Sequence, residues 1–261
     1  MTRTVRFEHM RPGEILAEKA RKSLAFLPIG PLEWHGPAMP FGTDPMIAEY
    51  IALGTAKEIG GVVLPTVYIG TERERGADML DAMGFEDTSQ YIVGQDFPAN
   101  TVKSLYFKED IFCTILRAWL DLLVRQGYET IVIISGHGAE NQGAALERMA
   151  REYSCETDSR VIALTAGPMP DGLTEELGHG NCAECSMAMF LSDDVDLSTY
   201  PADQERLKSN AWGINDVFTF MLQPNEDKTV RGDPRTATAE KGKRYMECAV
   251  RTIVEKLKEI L

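Results

Sequence analysis

The sequence predicts an α/β protein, a three-layer α/β/α arrangement with a mostly parallel central sheet. Short apolar runs alternate along the chain with longer segments of helical period, the pattern of strands joined by crossover helices. Those runs read as strands buried on both faces, as in parallel sheets whose two sides are covered by helices. Three of only four histidines stand beside carboxylates and glycines where such runs end. Open α/β sheets take their ligands at that place.

Leu24 to Ile29 is the first strand, and a helix follows from about Pro45 to Glu58. Gly60-Gly61 ends that helix, and Val62 to Val67 is the next strand. From about Glu109 to Arg125 a strong amphipathic helix carries apolar residues at Ile111, Ile115, Leu116, Trp119, Leu122 and Leu123, close to the 3.6-residue period, with Gly127 as its stop. Thr130 to Ile134 is β-branched at every position and reads as the central strand. A helix from about Asn141 to Tyr153, a strand at Val161 to Thr165 and a helix from about Ala183 to Leu191 come next. Ala237 to Leu261 closes the chain as a long helix. Residues 1–261 are expected to form one domain, with an excursion at about 70–100 that reads as a lid or an oligomer contact.

Forty acidic against 27 basic residues leave a formal charge of −13. That balance repels phosphate backbones and anionic lipid surfaces and argues against nucleic acid or a membrane as partner. No stretch approaches the roughly 18 unbroken apolar residues of a membrane span, and the first residues lack the apolar segment of a secretory signal. A cytoplasmic location is the expectation. The five cysteines, at 113, 155, 182, 185 and 248, are odd in number and scattered, as reduced thiols are.

The chemistry-bearing residues gather near predicted strand ends. Glu33 and His35 are two apart, so on an extended chain they project to the same side, roughly 6 to 7 Å from one another. Asp44 precedes Pro45, which reads as an N-cap and first helical residue, while its two oxygens also suit a carboxylate shared by two cations. His137, in Ser135-Gly136-His137-Gly138, should reach the same sheet edge as Glu33 and His35. Glu140 is either a further ligand or a first-turn acid favoured by the helix dipole. His179 and Glu184 are five apart, in the turn before a helix and in its first turn, a pairing that lets a carboxylate bind metal while an imidazole moves protons. Cys182-Ala-Glu-Cys185 is a C-x-x-C, for which two small helix-face residues, a redox pair and half of a Cys2His2 zinc site with His137 and His179 are the alternatives. The cluster Glu72-Arg73-Glu74-Arg75 reads as a solvated charge patch, with a pocket wall as its other reading. Phosphate-loop, G-x-S-x-G and H-E-x-x-H signatures are absent.

Taken together these motifs resemble the creatininase (creatinine amidohydrolase) family. Leu27 to Asp44, with Glu33, His35 and Asp44, is similar to its first motif, Ser135-Gly-His137-Gly to its second and His179 to Ser186 to its third; Gly232 to Gly242 looks like its C-terminal segment. The resemblance spans about residues 20 to 255. It implies a two-metal hydrolase of a small-molecule substrate, in a homo-oligomer such as a hexamer. Glu33 and His137 would hold one divalent cation, His35 the other, and Asp44 both, with zinc, manganese and iron all suited to such donors. Glu184 is preferred as the remaining ligand, with Glu140 second because its register is one residue off the family's. His179 would protonate the leaving group.

Two departures bear on the substrate. Ala38 stands where the family has a second histidine, and Ala166 to Leu173 lacks the tryptophan-bearing loop that encloses creatinine. A small polar cyclic amide other than creatinine is therefore expected, with C–C ring opening of an oxidised inositol as the alternative. Two rivals stand beside the dinuclear hydrolase: a non-catalytic binding relative, and a Cys/His zinc protein built on Cys182 and Cys185.

Overall fold

A computed structural model describes residues 4–89, 102–166, 178–200 and 232–261. Its centre is a parallel sheet of β1 (Leu24–Ile29), β2 (Val62–Val63), β3 (Thr130–Ser135) and β4 (Arg160–Thr165), in spatial order β2-β1-β3-β4. β1 runs in register with β3 from Leu24 opposite Thr130 to Ile29 opposite Ser135, and β3 with β4 from Thr130 opposite Arg160. The strand order reverses between β1 and β3, which opens a crevice past their carboxyl ends.

Side-chain alternation along the two central strands divides the core into two layers. Ala25, Leu27 and Ile29 of β1, with Ile131 and Ile133 of β3, face α4 (Glu109–Arg125) and α5 (Glu140–Glu156). Leu24, Phe26, Val132 and Ile134 face α2 (Thr43–Ile59) and the closing helix α7 (Ala239–Ile260). Both faces of β1 and β3 are thus covered, which is why Leu24 to Ile29 and Ile131 to Ile134 are apolar without a break. On α4 the buried stripe is Phe112, Leu116, Leu120 and Leu123, whereas Ile111 and Leu122 are exposed. The helix is therefore rotated relative to the stripe read from its sequence.

Three boundaries differ from expectation. The ladder of β2 stops after Val63: Leu64 N–H still donates to the Phe26 carbonyl at 2.9 Å, but Pro28 of β1 has no N–H to return, and beyond it only an isolated bridge joins Ile29 to Val67. α2 starts at Thr43 with Gly42 as its N-cap, so Asp44 lies inside the first turn and does not cap it. Residues 12–21 form an additional helix, α1 (Pro12–Arg21), with proline in its first turn and the Arg11 N–H donating to Glu14 at 2.8 Å. The excursion contains a short helix, α3 (Ala77–Ala82), and in part lies outside the described residues. No helix among the described residues is long and apolar enough to cross a membrane.

Two glycines at the strand ends seat the first turn of α2. A Cβ on Gly30, just after β1, would lie 2.7 Å from the Pro45 nitrogen, and one on Gly136, just after β3, only 1.9 Å from the Asp44 carbonyl oxygen. Only a residue without a side chain lets the two backbones approach so closely. Asp44 is thereby pressed into the crevice between β1 and β3.

Candidate metal centre

Past the end of β1 the chain runs through Glu33 and His35 alongside residues 104–107, tied by Leu105 N–H to the Leu32 carbonyl at 2.8 Å and Trp34 N–H to Ser104 Oγ at 2.9 Å. Past β3, the turn bearing His137 is held by a buried relay. Ser135 Oγ donates to the His137 carbonyl at 2.8 Å, Gln142 Nε2 donates to Ser135 Oγ at 2.9 Å, and Gln142 Oε1 accepts from Thr71 N–H at 2.8 Å. Asn181 caps α6 (Cys182–Leu191) by accepting from Ala183 N–H at 3.1 Å, which sets Glu184 in its first turn and His179 just ahead. Four separate parts of the chain therefore converge on one spot.

The convergence brings acid and imidazole groups into contact inside the protein, with Glu33 and His35 each 1% exposed and Asp44 2% exposed. His137 Nδ1 lies 2.8 Å from Glu33 Oε2 and 3.2 Å from Asp44 Oδ2, and His35 Nε2 lies 3.2 Å from Asp44 Oδ1. The two oxygens of Asp44 thus face two different imidazoles. Glu184 Oε2 is 3.9 Å from both His35 Nε2 and His179 Nδ1, and His179 Nδ1 is 3.6 Å from Glu33 Oε1. Among the described residues two sets of donor atoms are tight enough for a cation, Glu33 with Asp44 and His137, and Glu33 with His35 and His179; Glu184, expected as a ligand, is in neither. Glu33 belongs to both.

The outer contacts orient two of the rings as metal ligands are oriented. His35 Nδ1 donates to the Glu33 carbonyl at 3.0 Å, which leaves Nε2 as the lone pair facing Asp44. His179 Nε2 donates to the Trp34 carbonyl, which leaves Nδ1 facing Glu33 and Glu184. Glu33 Oε2, Asp44 Oδ2 and His35 Nε2 are buried and find no hydrogen-bond partner outside the cluster. Buried polar atoms are rarely left so, and these three all point into the cluster. The donor set fits divalent cations.

Electrostatics show how strongly the cluster calls for positive charge. Burial pushes Glu33 up, against the pull of His137, and pushes Glu184 up to about 7, against that of His35. Burial opposes charge on His35 too, but Asp44 and Glu184 outweigh it and bring the ring up to about 10. His137 is likewise raised, since Glu33 and Asp44 overcome its desolvation. Asp44 is held well below its usual range because His35 and His137 outweigh its burial. His179 moves the other way, driven down by burial and then by the neighbouring His35.

Several residues singled out in the sequence fall elsewhere. Glu140 is exposed at the start of α5 and belongs to neither donor set, so the dipole reading accounts for it. No cysteine is in either set; Cys182 and Cys185 are buried in α6, the latter with its thiol pushed up to about 12 by burial. Replacing both cysteines with alanine is accordingly expected to leave cation uptake unchanged, as metal analysis of the double variant would establish. Glu72 is not part of a solvated patch: it is 4% exposed and accepts from Arg73 N–H at 2.6 Å. Residues 167–173 of the loop ahead of the third motif lie outside the described residues. The Trp34 carbonyl, Gln142 and Tyr106 went unread in the sequence; Tyr106 lies 73 positions from the carboxylate it contacts and carries no local signal.

A parallel α/β fold with a buried carboxylate and imidazole cluster at its strand switch defines the class of protein. The sequence model of the creatininase family, described as creatinine amidohydrolase, matches residues 8–257, and the chain belongs to that family. Its fold is shared with the crystal structure of creatinine amidohydrolase (creatininase), at TM-score 0.66 and 19% identity over 99% of this chain and 98% of that one. A manganese creatininase gives TM-score 0.65 at 19% identity, over 98% of each chain. A zinc-loaded mutant creatininase gives 0.66 at 20%, over 99% and 98%. No curated protein sequence matches significantly.

Proposed function

We propose that the chain is a hydrolase holding two divalent cations, and that it cleaves the C–N bond of a small polar, cyclic amide other than creatinine. The observation that carries this is the dressed pair of imidazoles, His35 tied to the Glu33 carbonyl and His179 to the Trp34 carbonyl, each turning its remaining nitrogen toward buried carboxylates. Relatives whose structures are described as manganese and zinc creatininases support the choice of cations, and iron suits the same donors.

Glu33, Asp44 and His137 would hold one cation and His35 the other, with Asp44 reaching both through its two oxygens and Glu184 completing the second site. Such cations supply Lewis acidity and a water acidic enough to attack a carbonyl at neutral pH. His179 then acts first as acceptor, because its Nε2 proton is committed to Trp34 and only the Nδ1 lone pair faces the cluster. It takes a proton from the attacking water and afterwards gives that proton to the leaving nitrogen, so base and acid are one residue used in sequence. The Ala38 side chain, buried where the family has a histidine, can offer neither charge nor hydrogen bond to a substrate, which turns substrate choice away from creatinine.

The test is an activity screen across cyclic amides, formamides, lactones and keto-inositols, run on chelator-stripped protein before and after zinc or manganese is returned. Turnover of one class only in the reloaded protein is expected. Equal turnover in the stripped protein, or none in any class after full reloading, would count against the proposal.

A further inference from the structure

We infer that Tyr106 is a positioning residue that divides the two oxygens of Glu33 between protein and cation, an inference that rests on the metal reading of the site. Its hydroxyl donates to Glu33 Oε1 at 2.6 Å, while Oε2 is the oxygen 2.8 Å from His137 Nδ1. The tyrosine ring also lies against that of His137, with centroids 5.9 Å apart and planes tilted by 36°. One side chain therefore touches two of the three donors in the Glu33, Asp44 and His137 set.

Backbone contacts on either side hold Tyr106 there. Leu105 N–H donates to the Leu32 carbonyl at 2.8 Å, and Phe107 N–H to the Gly70 carbonyl at 2.9 Å. Residues 105–107 are thus pinned between the segment that bears Glu33 and the one that follows β2. A half-buried phenol fixed in this way sets the rotation of the Glu33 carboxylate. With Oε1 engaged by the hydroxyl, Oε2 is the oxygen turned to His137, and it is the one that would be offered to a cation on the His137 side. The same hydrogen bond opposes a swing of Glu33 toward His35 and His179, the other donor set it belongs to. Tyr106 thereby keeps the two sites from competing for a shared ligand.

The experiment is a competition titration of zinc between a chromophoric chelator and native protein, Tyr106→Phe and His137→Ala, with the melting temperature of each metal-free protein measured alongside. His137→Ala identifies which binding step belongs to the His137 side. Tyr106→Phe keeps the ring and loses only the hydroxyl, so its metal-free melting temperature should equal the native one. In that variant the His137-side step is expected to weaken roughly 10- to 100-fold, the usual effect of losing a ligand's outer partner, while the other step moves by less than about twofold. Two native steps that Tyr106→Phe leaves untouched, or that fall together with the metal-free melting temperature, overturn the positioning role alone. Native protein that takes up no zinc overturns the metal reading, and this inference with it.

Discussion

Asp44→Asn is expected to empty the site of metal and abolish turnover while leaving the fold in place. The change keeps the side-chain shape but removes a negative charge that lies 3.2 Å from each of two buried imidazoles. Breaking a buried charge pairing costs about 3–5 kcal/mol, which corresponds to a loss in cation affinity of roughly a hundredfold to a few thousandfold. Glu140→Gln is the matched control: it deletes an exposed first-turn acid outside both donor sets and should leave metal content and turnover at native levels. Metal analysis after gel filtration, run beside the activity screen, separates the two. Asp44→Asn protein that retains two equivalents and full activity would remove Asp44 from the centre.

Gly136→Ala carries the second large effect, and it reaches the site through the backbone. The added methyl would lie 1.9 Å from the Asp44 carbonyl oxygen and 2.6 Å from its carbonyl carbon. Neither atom belongs to a side chain that can rotate away, so α2 has to lift off the end of β3. Overpacking of this severity is expected to cost about 3 kcal/mol, or roughly 6–12 °C in melting temperature for a domain of this size. Cation affinity should fall as well, because Asp44 moves with the helix. A thermal melt and a zinc titration on the same preparation check both, and native values in the two would mean that the strand end accommodates a side chain.

The two central strands were legible because burial on both faces keeps the middle of each apolar without a break, and β1 matches its sequence prediction from Leu24 to Ile29. The histidine and carboxylate motifs were legible for a different reason: Glu33-x-His35 and the glycine-flanked His137 and His179 are local patterns, set by the turns in which they sit. Asp44 was half read. Asp-Pro has the look of a helix cap, but Thr43 N–H bonds back to the Pro40 carbonyl at 3.2 Å and the helix begins before the aspartate, which turns it toward the cluster. β2 was read too long because its apolar run continues through Leu64 while Pro28 on the neighbouring strand, without an N–H, interrupts the pairing. Tyr106 and Gln142 were out of reach, since what defines them is contact across the fold and no periodicity announces that. Glu140 and Glu184 could not be told apart in the sequence either: both stand in a helix's first turn, and only contact across the fold shows that Glu184 lies 3.9 Å from His35 while Glu140 is exposed.

Gly242, near the start of α7, sits where a Cβ would lie 1.9 Å from the Ser186 carbonyl oxygen of α6. Helix α7 thus lies directly on the one that carries Glu184, two residues before Ser186. A chain without α7 would keep all six acid and imidazole groups, yet nothing would brace the helix that presents the sixth. Removing α7, which carries no donor atom, would therefore be felt at the centre as a loosened Glu184.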